Sequence, residues 1–151
     1  MHRIIIIAIL AVFLSASGAQ AIDEAGRQAV VAMVKRIQER IKTDGTEPTF
    51  KAVADPAVKE FSESGLDPFV FNLNGQLMAG ATRALIGKNL IDIKDPDGKY
   101  PIRMMVDLAK GAGSGWIEYK WVNPRTQKPQ PKSAYIEKMG DYFVGAGMYT
   151  D

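Results

Sequence analysis

Apolar residues recur at helical spacing early in the chain. Val30, Met33, Val34, Ile37 and Ile41 share one stripe, while Arg27, Lys35, Gln38 and Lys42 occupy other faces. The pattern predicts an amphipathic helix over 23–43, with Asp23 as N-cap and Gly45 as stop signal. The stripe reads as core, with a homodimer seam through the 23–43 helix as the second reading. Asp55-Pro56 is a cap-then-proline start. It places a turn at Phe50–Val53 and a second helix from Pro56 to about Ser62, ended by Gly65.

The period then changes to two. Phe69-Val70-Phe71-Asn72-Leu73 alternates as a strand, Asn74-Gly75 predicts a type I′ hairpin turn, and Gln76 to Ala79 is the return strand. A long segment from Gly80 to Pro101 follows, of the kind that often forms a lid or binding loop. Ile102 to Lys110 has helical spacing and is broken by Gly111, Gly113 and Gly115. Three strands finish the chain, at 115–122, 132–139 and 142–149. The order helix, helix, strand, strand, helix, strand, strand, strand predicts an α+β fold. One five-stranded antiparallel sheet is packed by a long N-terminal helix and further helices.

The first residues change the reading of compartment. His2 and Arg3 form a basic end, Ile4 to Leu14 is an unbroken apolar run, and Ala19-Gln20-Ala21 is a small-x-small cleavage site. This is the layout of a secretory signal peptide, and the run is shorter than the about 20 residues of a membrane span. Cleavage after Ala21 gives a leader at 1–21 and one periplasmic domain at 22–151; an uncleaved anchor is the alternative. Removing the first 21 of 151 residues leaves 130, enough to bury roughly two-thirds of the unfolded surface. The net charge of +2 falls by one with Arg3, so a near-neutral chain offers no electrostatic case for nucleic acid.

The chain has no cysteine, and its single histidine, His2, leaves with the leader. The mature domain therefore lacks the residues for Ser-His-Asp or Cys-His catalysis, His/Cys zinc sites and His- or Cys-ligated haem. No paired carboxylates are placed together by the pattern, so no enzyme and no cofactor is expected. Asp92, Asp95 and Asp97 lack the spacing and closing glutamate of a calcium loop and read as a turn.

The last third carries the candidate site. Phe143, Gly145, Gly147 and Tyr149 face one way by alternation, and two missing side chains between aromatics leave a gap. Two readings stand: a hollow in the sheet, or a bulge or neighbour pressed close. Neighbouring strands bring Trp116, Tyr119, Trp121, Lys132 and Tyr135, whose N–H and O–H donors suit a small carboxylate. Trp116 and Tyr119 are three apart, as are Lys132 and Tyr135. In a regular strand such pairs face opposite ways.

Phe71-Asn72-Leu73-Asn74-Gly75, Gly87-Lys88-Asn89, Asp95-Pro96-Asp97-Gly98-Lys99, Gly115-Trp116-x-x-Tyr119-x-Trp121-x-x-Pro124, Lys132-x-x-Tyr135 and Gly145-x-Gly147-x-Tyr149 together resemble the single Cache domain over about residues 25–150. The resemblance implies a PAS-like sheet behind a long helix. It also implies an extracytoplasmic sensor that binds small ligands, often short organic acids, in a pocket on the sheet. Trp116, Tyr119, Lys132 and Tyr135 would line or border that pocket, with Arg103 a further candidate. Many relatives carry a histidine near the position of Gly80; this chain has none. The family usually appears in chemoreceptors and sensor kinases, between two membrane helices. This chain, with a cleavable leader and an end at Asp151, reads as a free-standing form acting through a membrane-bound receptor or kinase. A PAS-like protein–protein interaction module without ligand is the alternative expectation.

Overall fold

The computed structural model describes residues 22–62 and 65–150; the expected leader at 1–21 lies outside them. Helix α1 runs Glu24–Asp44. The Asp23 carboxylate accepts from the Gly26 N–H at 2.8 Å, so the predicted cap forms. Gly45, at φ 90°, donates its N–H back to Ile41 and ends the helix. Its left-handed conformation lets the chain turn and restart at once as helix α2, Thr46–Val53.

A helix therefore stands where the sequence predicts a turn at Phe50–Val53. The local reason is Thr49, fully buried, whose hydroxyl donates to the Gly45 carbonyl at 2.7 Å, while Ala52 and Val53 are buried beside it. Asp55-Pro56 opens no helix. The Asp55 carboxylate accepts from the Ala57 N–H in a turn, and only Lys59–Ser62 is helical (α3), seating Phe61 in the core.

Strands β1 (Asp67–Asn72) and β2 (Leu77–Gly80) form the first hairpin. The turn is not type I′, because Gly75 is at φ 88° but Asn74 has no positive φ. Gly75 N–H bonds Asn72 O, and the Asn72 carboxamide accepts from the N–H groups of Asn74 and Gln76. One left-handed glycine after an ordinary turn suffices once the Asn72 side chain holds the loop. Helix α4 spans Pro101–Lys110, followed by β3 (Ser114–Val122), β4 (Pro129–Met139) and β5 (Tyr142–Tyr149).

The five strands form one antiparallel sheet in the order β2-β1-β5-β4-β3. The α+β architecture read from the sequence is the observed one. One face of the sheet is covered by α1, α2 and α3, whose Val30, Val34, Ile37 and Phe61 pack with Val70, Val144 and Ala146. The other is covered by α4 and the 81–100 segment, with Ile102, Met105 and Leu90 against Phe69, Phe143 and Ile136. The candidate site lies on this second face.

Candidate functional site

Register sets the site. Lys132 on β4 stands directly opposite Tyr119 on β3 and Tyr149 on β5. Asp67 on β1 stands opposite Gly147 on β5, one step away. The four side chains meet: the Lys132 ammonium bonds the Asp67 carboxylate, and the single proton of the Tyr149 hydroxyl is shared between Asp67 at 3.3 Å and the Val122 carbonyl at 3.2 Å. Lys132 is 3% exposed. Its ammonium lies 5.1, 5.8 and 5.1 Å from the ring centroids of Phe69, Tyr119 and Tyr149, within cation–π range of all three. A buried ammonium is tolerated here because a carboxylate and three ring faces replace its water.

The two glycines make this possible. A Cβ on Gly147 would overlap Cε of Lys132, and one on Gly145 would overlap the Phe69 ring. The gap read from the sequence is thus filled by the lysine stem and a phenylalanine ring, and what stays open lies above them. That space is a cavity of about 40 Å³ lined by Asp67, Phe69, Leu85, Tyr119, Trp121 and Lys132. It has room for about three water molecules. Thr82, Leu85 and Trp121 border both this cavity and an outer apolar groove of about 760 Å³. The groove lies along the long segment and adjoins the cavity at these residues.

Electrostatics keep the tyrosines neutral. Burial raises Tyr119 well above the usual phenol range, helped by the Asp67 charge. Burial also raises Tyr149; Lys132 opposes the rise and Asp67 adds to it. Both are therefore hydroxyls, able to donate, across the physiological range. The wall of the site is pinned by Asp95. Only 6% exposed, it accepts from the N–H groups of Asp97, Lys99 and Lys120, which ties the loop to strand β3. Burial pushes its carboxyl up, the three N–H donors pull it down, and the net shift is downward.

The remaining sequence-predicted residues lie elsewhere. Trp116 and Tyr135 stand opposite each other on the α1 face, with ring centroids 5.5 Å apart. Arg27 of α1 lies 4.0 Å above the Trp116 ring, and the Tyr135 hydroxyl donates to Glu137 at 3.2 Å. Arg103 lies on the outer side of α4, half exposed, paired with Asp92 and 4.3 Å from the Tyr100 ring centroid. The structure thus brings together Tyr119, Lys132, Gly145 and Gly147, and leaves Trp116, Tyr135 and Arg103 apart from them.

The model of the Cache domain (dCache_2) matches residues 15–151. The chain belongs to the Cache family. It is 34% identical over 77 residues, half of its length, to the methyl-accepting chemotaxis protein McpP of Pseudomonas putida. It is 31% identical over 86 residues, 55% of its length, to the sensor histidine kinase MctS of Rhizobium johnstonii. These matches span 14% and 18% of those proteins. A solved structure described as the basis for carboxylic acid recognition by a Cache chemosensory domain superposes with a TM-score of 0.60. The identity there is 21%, covering 84% of this chain and 89% of that one. This is accordingly a Cache-type sensor domain like those of chemoreceptors and sensor kinases.

Within this Cache domain, sequence reasoning missed Asp67 and Phe69. Asp67 reads as a polar residue ahead of a strand, and its partner lies 65 positions away, so no local signal joins them. Phe69 reads only as one position of an alternating strand, and its place over Gly145 follows from the β1–β5 pairing.

Proposed function

We propose that this single Cache module senses a short organic acid from the periplasm, binding its carboxylate at Lys132. The observation that carries the reading is a buried ammonium at the floor of a cavity with room for about three waters, the scale of a two- or three-carbon acid. Tyr119 and Tyr149 flank the ammonium as neutral hydroxyls, and Gly145 and Gly147 leave the space that Lys132 and Phe69 occupy. The carboxylic acid named for the Cache structure of similar fold supports the same ligand class. The Arg27–Trp116–Tyr135 cluster serves in this reading as the seam between α1 and the sheet, on the face away from the pocket.

A bound ligand passes its signal to a separate membrane-bound receptor or kinase, and the signal-peptide pattern at 1–21 supports export. Val31 and Ala32, set among charges on the outward side of α1, offer a surface for pairing two copies; sedimentation of the purified protein tests it. Among the described residues no helix is long and apolar enough to cross a membrane.

Calorimetric titration with acetate, propionate, lactate and pyruvate is the direct test. Binding of at least one, lost in Lys132→Met, is expected, with a melting temperature that rises by linkage. Failure of all four to bind refutes the reading and favours a ligand-free interaction module.

A further inference from the structure

Resting on the carboxylate reading, the structure assigns Asp67 a role of its own: we propose that it is a built-in competitor of the ligand, occupying Lys132 while the site is empty. A site for an anion that held a lone buried cation would be strongly destabilised without ligand, since an unpaired buried charge lacks both water and partner. Here the cation is already neutralised. The Asp67 carboxylate bonds the Lys132 ammonium directly, and no other carboxylate bonds it among the described residues. A ligand carboxylate reaching Lys132 must share it with Asp67 or displace it. Two carboxylates on one ammonium repel, so displacement is the favourable course.

The structure gives Asp67 somewhere to go. Its side chain is 17% exposed, against 2% for that of Lys132. It borders the inner cavity and also a larger one of about 430 Å³, lined by Asn123, Arg125, Gln130 and Tyr149. A turn of the carboxylate toward that second cavity keeps it beside the Tyr149 hydroxyl and in water, while Lys132 passes to the ligand. The stem of Lys132, packed over Gly147, does not need to move. Asp67 therefore sets affinity: each ligand molecule binds at the cost of one internal ion pair, and the empty domain stays folded.

The test uses Asp67→Asn, close in shape and without charge, beside the unchanged protein. Sodium propionate is the probe and propionamide the neutral control, at constant ionic strength and pH 7. Asp67→Asn should bind propionate about tenfold tighter or more, since the ligand no longer displaces a charged hydrogen bond. Without ligand this variant should melt lower, and saturating propionate, not propionamide, should restore its melting temperature. Equal or weaker propionate binding by Asp67→Asn, with the unchanged protein binding normally, overturns the competitor role and leaves the carboxylate reading standing. Absence of binding and of rescue by acetate, propionate, lactate and pyruvate alike, in both proteins, overturns both. A crystal structure of the unchanged protein with propionate decides independently, even should the variant not fold. Lys132 on the ligand with Asp67 withdrawn supports the role; Asp67 still bonded to Lys132 overturns it.

Discussion

Gly145→Ala adds one methyl group at the point where β5 passes beneath the Phe69 ring. The backbone tolerates a side chain there, because Gly145 has no positive φ. The cost is steric alone. The new Cβ would lie well inside the 3.4–4 Å of ordinary contact with Cε2 and Cζ of Phe69, and 3.0 Å from Cγ2 of Ile136. Neither neighbour yields freely. Ile136 is fully buried, and the Phe69 ring is held edge-on by Phe71 at 5.8 Å and beneath the Lys132 ammonium. To reach a normal separation the ring must move by about 1 Å or more, and the open direction is the small cavity it lines.

Overpacking of this kind costs about 1–3 kcal/mol. With a urea m-value of about 1–3 kcal/mol per molar, the unfolding midpoint should fall by roughly 1 M. Carboxylate binding should fall as well, because the displaced ring enters the ligand's space. Phe69→Leu supplies the control. Alone it removes ring volume and destabilises; combined with Gly145→Ala it gives the methyl room. The double mutant should therefore be more stable than the sum of the single effects, with a coupling of about 1 kcal/mol or more. An additive cycle, or a Gly145→Ala protein within about 0.5 kcal/mol of the unchanged one, would refute the view that Gly145 exists to admit this ring.

Asp95→Ala strands three backbone N–H groups and should cost about 1–3 kcal/mol in urea unfolding, while Asp95→Asn, keeping one acceptor oxygen, should cost less. Because its folded carboxyl is held low, the stability Asp95 contributes is present above the usual carboxylate range and lost as pH falls through it, which acid unfolding of the alanine variant should show as a missing share. Tyr119 and Tyr149 are held high, so the unfolded chain ionises near pH 10 while the native one keeps its protons; stability should drop above that pH by up to about 1.4 kcal/mol per unit for each, and Tyr149→Phe should remove one share of the slope. Tyr135→Phe, on the opposite face of the sheet, should leave carboxylate affinity within about twofold in the same titration.

The architecture was legible because each element announced itself by period. The α1 stripe from Val30 to Ile41 is the buried one, and the strand candidates became the five observed strands within a few residues. The failures were local. Phe50–Val53 reads as a turn because Asp55-Pro56 is a strong start signal. A left-handed Gly45 with a back-bonded Thr49 leaves room for an earlier helix, and that tertiary arrangement wins. The hairpin was placed correctly and its turn type was not, because the Asn72 carboxamide satisfies backbone groups that a type I′ turn would have to satisfy by conformation.

The site was legible on one strand and hidden between strands. Alternation in β5 is enough to say that Gly145, Gly147 and Tyr149 share a face, and the same rule separates Trp116 from Tyr119 and Lys132 from Tyr135. What alternation cannot supply is the lateral neighbour. Whether a glycine opens a hollow or admits a side chain depends on the residue across the ladder, and here β1 enters between β2 and β5 from the far end of the sequence. That one pairing brings Phe69 to Gly145 and Asp67 beside Lys132. It turns an apparent hollow into a filled floor with a small cavity above it. The same pairing makes the lysine tolerable in the empty domain, so the residue that hides from the sequence is the one that lets a buried cation wait for its ligand.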